Sequence, residues 1–401
     1  VLNGGDPAYD LADLRRYGKV AAACRLPLEA AVAGYPLSVG DVGGPAKPRL
    51  FAGFLGAIER NVRSGAGLTG DPDLAWVTAQ YYGRAGESDA EWGAILRAAE
   101  RRRGNPFLGQ PSRVLTNWSA ILETGQEAQD FRFVRAAMMR IGTGVGHQHA
   151  DTLDLQMIAH GVRALNDVGW RGGYSAPHPT FTQLHNLVEI NELNWQGHAW
   201  TPAFAPTAGA QYMRAAAVPP AGAAGISART REVALIDADE GRPGAAPPAP
   251  LPYTDRTRFD PQAVTPNSYV VDVQRQRGGR LHTFCFHGTF SDDFQINLPD
   301  RSEALDDEEK SYLRRYAQGT GMKTSGVVPE VLQATWRLRR TEENATVTDR
   351  DGKEVRCRLW NAEAVMQGAA YDPASPPKFT RLHLLGRAGC GQGLYRLGDQ
   401  Q

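Results

Sequence analysis

Between Pro7 and Arg103, apolar side chains recur at helical spacing. The clearest run has apolar residues at positions i, i+1, i+4, i+5 and i+8, which predicts an amphipathic helix: Leu50, Phe51, Phe54, Leu55 and Ile58. Three other helices are predicted by their boundary signals. One ends at Pro27, one begins after Asp71, and one begins at Ser88, which has capping-box spacing to Glu91. Short glycine-containing loops between these helices indicate part of a helical hairpin array.

After Gly104 the pattern changes to short apolar runs and alternation with period two, which is typical of β-strands. Stretches rich in Pro, Ala and Gly at 218–225 and 241–252 predict loops. The predicted strands cover residues 113–123, 130–141, 151–159, 162–168, 187–193, 269–274, 281–288, 331–339, 346–348, 355–360 and 379–385.

This order of elements predicts an α+β multidomain fold, with helices first and a large antiparallel β region after them. We place the domain boundaries at residues 1–104, 105–340 and 341–401, the last a small C-terminal β-sheet region. A chain of 401 residues is expected to form two or three domains.

Composition excludes several classes of function. The chain has 44 basic and 44 acidic residues, so no global field favours nucleic acid or a membrane surface as a partner. Its four cysteines are scattered without a CxxC pair, which argues against thiolate zinc fingers and thioredoxin-like chemistry. No apolar run reaches the roughly 20 residues of a membrane helix. A local arginine cluster could still bind a polyanion, although GC-rich coding also explains the preference for Arg over Lys.

The densest set of potential metal ligands lies between Gly142 and Asn186. In an extended strand, His147, His149 and Asp151 would lie on one face, where three polar side chains are costly unless they have partners. Asp167 lies on the predicted return strand, and His185 opens another. Imidazole and carboxylate ligands from separate strands suit zinc.

Two other interpretations of this set remain open. The side chains could simply bond to one another in a polar β core. An HxHxD pattern is also typical of metallo-hydrolases, but there a further histidine normally follows at once, whereas Thr152 follows here. The αββα alternation expected of that class is also absent from the predicted elements.

Three segments, in this order, resemble the heparinase II/III family of polysaccharide lyases: His-Gln-His-Ala-Asp at 147–151, Asn-Asp-Val-Gly at 166–169 and His-Asn-Leu-Val at 185–188. Residues 269–273, Gly278, Gly279 and the Phe-His-Gly at 286–288 resemble the same family's β-sandwich. The resemblance runs from about Gly5 to about Leu385. Two positions depart from the family pattern. Gln148 replaces a usual glycine, and no arginine stands in 181–184 before the His-Asn pair.

The resemblance implies an (α/α) toroid joined to an antiparallel β-sandwich, and β-elimination of a uronic-acid-containing polysaccharide. It implies a structural zinc held by His149, Asp167 and His185, with His147 facing the catalytic cleft. Tyr9, in a segment like the family's Ser-Pro-x-Tyr, would be the base and acid.

The resemblance also suggests substrate contacts and partners. Asp41 lies in a segment like a loop that lines the family's cleft, and Tyr174 stands where the family has aromatic residues beside the substrate. The residue that neutralises the substrate carboxylate would precede Val1. We therefore expect the C-terminal majority of a lyase, its incomplete toroid completed by an upstream segment or a homodimer partner. An acidic polysaccharide substrate and a periplasmic or secreted location are the corresponding expectations. The alternative is a non-catalytic carbohydrate-binding or structural β-sandwich.

Several other aromatic and histidine residues allow simpler interpretations. Trp170, Trp195 and Trp200 could stack on sugar rings, but a buried core position is the stronger expectation for each. His282 and His287 are five positions apart and would face opposite sides of one strand, so one of them is expected in the core.

Overall fold

A computed structural model describes somewhat more than half of the chain, in separate stretches. The described residues are 18–32, 35–36, 51–116, 118–125, 134–142, 149–159, 162–165, 167, 182–195, 197–219, 223–237 and 268–287, and, in the C-terminal part, 291–296, 302–304, 322–325, 331–338, 344–348, 352–358, 379–385 and 393–396.

Helices dominate the N-terminal part, as the apolar spacing predicts. They are α1 Gly18–Glu29, α2 Phe51–Thr69, α3 Pro72–Val77 and α4 Asp89–Ala99, and a π-helical turn Thr78–Tyr82 continues α3.

Both predicted helix starts are confirmed by their caps. The Asp71 carboxylate accepts from the backbone N–H of Asp73 and of Leu74. Ser88 and Glu91 form the full capping box. The predicted end of α1 at Pro27 is wrong. The helix continues to Glu29, because proline removes only one backbone donor and the fully buried Leu28 anchors the last turn in the core.

A five-stranded antiparallel sheet forms the centre of the described structure. A small hairpin, formed by β1 Ala31–Val32 and β2 Tyr35–Pro36, precedes this sheet in the chain. The strands of the five-stranded sheet lie in chain order: β3 Arg113–Leu115, β4 Ser119–Thr124, β5 Arg135–Arg140, β6 Leu155–Ala159 and β7 Val162–Leu165.

Successive side chains of this sheet point alternately to two different hydrophobic cores, one on each face. Ile121 and Met138 pack with helical residues, while Leu122 and Met139 pack on the opposite side. A strand buried on both faces needs apolar residues at consecutive positions, which explains the Ala120–Leu122 run.

A second sheet covers the far side and completes a β-sandwich. Its order is β12-β11-β10-β9, with every pairing antiparallel. A two-stranded ladder of β8 and β13 lies beside it. The elements are β8 Val188–Ile190, β9 Ala199–Pro206, β10 Ala210–Ala217, β11 Ile226–Asp237, β12 Ser268–Gly278 and β13 His282–Phe284. Inward residues of this sheet, Met213, Val233 and Leu235, join Leu122 and Met139 in one core.

The sequence pattern missed three strands of this second sheet, β9, β10 and β11. Their Ala- and Arg-rich composition gives a weak hydrophobic alternation, and alanine has a low strand propensity. Pairing along whole ladders stabilises them instead, with β11 matched to β12 over almost its full length.

The C-terminal strands form three small antiparallel sheets, ordered β14-β17-β20, β15-β16-β21 and β18-β19. Their bounds are β14 Ser291–Ile296, β15 Ser302–Ala304, β16 Met322–Ser325, β17 Val331–Leu338, β18 Asn344–Thr348, β19 Glu354–Arg358, β20 Phe379–Leu385 and β21 Gly393–Arg396.

The α+β class with antiparallel sheets is therefore confirmed, whereas the toroid and the domain boundaries stay predictions. Two predicted strands are wrong in part. The single strand predicted at 113–123 is a hairpin of β3 and β4, and the strand predicted at 151–159 is wrong in its first half. Leu153 has a left-handed φ of 73°, which interrupts an extended chain, so β6 begins only at Leu155. Within the described part of the chain, no helix combines the length and apolar composition that a membrane crossing requires.

The shared core of the two sheets should be sensitive to truncation. Leu122 is fully buried there, so Leu122→Ala is expected to lower the free energy of unfolding by about 2–5 kcal/mol. The matched change Leu96→Ala removes a side chain that is 39% exposed on α4 and should cost less than about 1 kcal/mol. Urea unfolding of both variants measures the difference, and equal losses would contradict the assigned sandwich core.

Candidate metal centre

The fold brings three distant segments to one point between the two sheets. His149 lies between β5 and β6, and Asp167 follows β7 by two residues. Because β6 and β7 are antiparallel, the end of β7 lies beside the start of β6. His185 follows a short 3₁₀ turn, Thr182–Leu184, just before β8.

These residues, here called the ligand cluster, converge on one small volume. Nδ1 of His149 lies 3.1 Å from Nε2 of His185. Oδ1 of Asp167 lies 3.4 Å from the first nitrogen and 3.2 Å from the second. All three side chains are completely shielded from solvent. The three atoms thus form a nearly equilateral triangle in the protein interior.

The geometry and donor set fit a bound metal ion. Ligand atoms about 2.0–2.1 Å from a tetrahedral metal are about 3.3 Å apart, close to the separations in the ligand cluster. Two imidazole nitrogens and a carboxylate are donors that divalent transition metals accept. A buried carboxylate also requires compensation by positive charge.

The pKa shifts within the ligand cluster show that positive charge is favoured at this point. Burial acts to raise the pKa of Asp167, but the charge and hydrogen bonds of His185 and His149 outweigh it and hold that pKa below its usual value. Burial acts to lower the pKa of His185, yet Asp167, Asp154 and Asp151 raise it to about 9. The carboxylates around His185 therefore favour a positive charge at this point.

Hydrogen bonds tie the segments that carry the ligands. The backbone N–H of Asn186 donates to Oδ1 of Asp154 (2.7 Å). Oγ1 of Thr182 donates to the carbonyl of Ala150 (2.9 Å) and accepts from the N–H of Trp195 (2.6 Å). The His149 and His185 segments are thereby fixed to each other without the metal. Asp154 and Thr182 were missed by the sequence reasoning, which had no signal for contacts between these loops.

Arg231 connects the second sheet to the same segments. It projects inward from β11 and is almost fully buried. Nη1 donates to the carbonyl of Leu153 (2.6 Å) and to that of Asn186. Nε and Nη2 bind the carboxylate of Asp272 on β12 at 2.8 and 2.7 Å. This bidentate pair holds the guanidinium against two carbonyls close in sequence to the ligand cluster.

Strand alternation predicts that Asp151 lies on the same face as His149, and this prediction is wrong. Its Oδ2 is 3.6 Å from Nε of Arg140, and burial raises the pKa of Asp151 to about 6. The left-handed Leu153 shows that this segment turns, so alternation does not apply to it. Only His149 of the HxHxD pattern joins Asp167 and His185 among the described residues.

The remaining predictions on single residues have mixed outcomes. Tyr9, Asp41, His147 and Tyr174 lie outside the described residues, as does Trp170. Trp195 is fully buried, with the Arg229 guanidinium 4.6 Å from its ring centre. The expected core position of Trp200 is wrong, since it is 48% exposed.

Of the two histidines around β13, His287 is the more enclosed, although it lies beyond the end of the strand at Phe284 and is half-buried. His282 is exposed. Nε2 of His287 lies 2.6 Å from the carbonyl oxygen of Gln183, and its backbone N–H donates to Oδ1 of Asn186. Burial lowers the pKa of His287 to about 4. His287 therefore packs behind the His185 segment as a neutral residue.

Comparison with known proteins identifies no family. No family model and no curated protein matches the chain. Solved structures with partial likeness include a heparinase III, with a TM-score of 0.42 and 9% identity over 94% of this chain and 47% of that one. A second heparinase III has a TM-score of 0.38 and 10% identity over 92% and 44%. A heparan sulfate lyase from Pedobacter heparinus has a TM-score of 0.31 and 9% identity over 97% and 56%.

The chain thus spans about half the length of these solved structures. Likeness at such TM-scores leaves the family open.

Removing Arg231 should loosen the centre from the second sheet. Arg231→Met leaves Asp272 without its cation and removes the guanidinium donor from the carbonyls of Leu153 and Asn186, so we expect a loss of about 3 kcal/mol of stability. Arg214→Met alters an arginine on the opposite face of the same sheet, with a side chain 45% exposed, and should cost less than about 1 kcal/mol. Chemical denaturation of both variants is the measurement; similar losses would refute the bracing role.

Proposed function

We propose that the chain is part of a polysaccharide lyase that cleaves a uronic-acid-containing polymer by β-elimination. The observation that carries this proposal is the convergence of His149, Asp167 and His185 in one buried triangle. These are the positions that the resemblance to the heparinase II/III pattern assigns to a zinc ion. The first and last of these ligands are 36 positions apart in the sequence, and the fold brings them to one site.

Zinc is the proposed metal, with a structural role. Two histidines and an aspartate are common zinc ligands, and a catalytic zinc must keep an open position for water or substrate. The ligand side chains here have no solvent exposure, which supports a structural ion and disfavours the metallo-hydrolase alternative. When bound, zinc would neutralise the buried carboxylate and cross-link the ends of the β6–β7 hairpin to the β8 segment.

The chemistry is assigned to residues outside the ligand cluster. In β-elimination a base removes the proton on C5, the electron pair forms the C4–C5 double bond, and the bond from C4 to the glycosidic oxygen breaks. That oxygen leaves with a proton from an acid. Tyr9 is proposed for both proton transfers, and general acid–base groups of this kind typically contribute about 10²–10⁴-fold.

His147 stands two positions before His149 in the sequence and is proposed to assist Tyr9 from the cleft side. Asp41 and Tyr174 are proposed substrate contacts. A group that neutralises the substrate carboxylate is required as well, because charge stabilisation is often the largest catalytic contribution. We assign it to an upstream segment or a partner chain that would complete an (α/α) toroid with the helices described above. A periplasmic or secreted location belongs to the same proposal.

The reaction class can be tested directly. The full-length protein, incubated with alginate, heparan-type or ulvan-type polymers, should generate the ultraviolet absorbance of an unsaturated uronate. Absence of that absorbance with every uronate polymer would reject the lyase proposal.

Tyr9→Phe removes only the phenolic oxygen and is expected to lower turnover by at least about 10²-fold, because the proton-transfer group is lost. Tyr17→Phe is a matched control eight positions later and should keep near-normal turnover. Circular dichroism should show both variants folded. Near-normal turnover in Tyr9→Phe would contradict its role as base and acid.

The metal proposal has a readout independent of activity. Purified protein should contain about one zinc per chain by elemental analysis, and His149→Ala should lose it together with several degrees of melting temperature. His282→Ala changes an exposed histidine outside the ligand cluster and should keep zinc and stability. Full zinc content in His149→Ala would refute the assignment.

A further inference from the structure

The four-stranded sheet has a second face that does not contact the sandwich core. Inward side chains of β10 and β11, such as Met213 and Val233, are completely buried. Alternate positions of the four strands project the other way, and four of them, on β9 and β12, expose large apolar side chains to solvent: Trp200 is 48%, Tyr269 53%, Val271 41% and Val273 36% exposed. Since the helices pack on the far side of the five-stranded sheet, this outer face points away from them.

Strand register places aromatic and basic residues on one continuous surface. The pairs Trp200–Ala216, Ala216–Thr230 and Thr230–Arg275 form one row across the four strands. Three interstrand spacings of about 4.8 Å separate the ends of this row by about 14 Å. Along β12, Tyr269 lies six residues from Arg275, or about 20 Å away.

The charge of the outer face is positive over its described residues. Arg214, Arg275 and Arg277 all lie at exposed positions, and the carboxylate on the same face is that of Glu232. Glu232 accepts a hydrogen bond from the Tyr212 hydroxyl (2.8 Å) and pairs with Arg275. The glutamate therefore positions a tyrosine and an arginine, and positive charge remains in excess.

We propose that this outer face, opposite the inward face from which Arg231 reaches the Leu153 carbonyl, is a surface that binds an acidic polysaccharide. Aromatic rings present a negative π-face to the C–H groups of sugar rings. Guanidinium groups bind carboxylates and sulfates in a bidentate manner. Glu232 pairs with both Arg214 and Arg275 and offsets only part of the charge of the three arginines. A neutral glycan would leave the remaining positive charge unused, and an apolar protein partner would have to bury it.

The class of ligand rests on the proposed function, whereas the surface itself does not. The surface would hold a long chain near the enzyme while the cleft acts on one bond, a gain of effective concentration between linked sites. It should therefore matter for polymers and not for short oligosaccharides.

Binding of the full-length protein to alginate and to heparan sulfate, measured by affinity gel electrophoresis, tests the proposal. Trp200→Ala and Arg275→Glu are each expected to weaken polymer binding by about tenfold, the scale of one charge-assisted contact. Higher salt should weaken the wild-type protein more than Arg275→Glu. A neutral dextran should not bind.

Matched controls lie on α4, away from the sheet. Leu96→Ala and Arg97→Glu make the same kinds of change at exposed positions and should leave polymer binding unaltered. Melting curves of all four variants separate loss of binding from loss of folding, and a variant that fails to fold is replaced by Trp200→Gln or Arg275→Gln.

Several results would overturn the proposal. Polymer binding could be unchanged in both outer-face variants, or it could be weakened equally in the α4 controls. A change of molecular mass in Trp200→Ala by light scattering would also overturn it, because that change would identify the face as a contact between copies of the chain. Failure of the lyase proposal is distinguishable, because it would abolish cleavage of short oligosaccharides while leaving polymer binding and its sensitivity to Trp200→Ala in place.

Discussion

Charged groups buried at the seam between two sheets impose the main constraint on this structure. The side chains of one aspartate and two histidines have no solvent contact here. A buried carboxylate is costly unless positive charge balances it, either on a histidine or on a bound cation. The three coordinating atoms of these side chains lie within 3.1–3.4 Å of one another. The segment before β6, the residues after β7 and the turn before β8 must therefore meet at one point.

Arg231 extends this constraint to the second sheet. Its guanidinium binds carbonyls of the Leu153 and Asn186 segments while Asp272 neutralises it. A buried pair of this kind contributes little net energy compared with an apolar pair, but losing one partner is costly. Its effect is on geometry, since it fixes the distance between the sheets where the ligand cluster lies.

The same residue type has opposite roles on the two faces of the four-stranded sheet. Arg231 faces inward and braces the centre, whereas Arg214 and Arg275 face outward and remain exposed. Pleating alone separates them, because successive side chains of a strand point to opposite faces. One sheet can thus stabilise a buried site and present a basic, aromatic surface to solvent.

Local signals in the sequence determined the helix starts at Asp71 and Ser88 and the α+β order, whereas the resemblance to a family pattern singled out His149, Asp167 and His185 as ligands. Caps and alternation depend on near neighbours, so a single sequence reveals them. Tertiary structure decided the remainder: the weakly patterned strands β9–β11 exist because they are paired, and one left-handed residue, Leu153, interrupts the alternation that would align Asp151 with His149. Trp195 is buried and Trp200 exposed, because burial depends on which elements pack together, and that is a property of the whole fold.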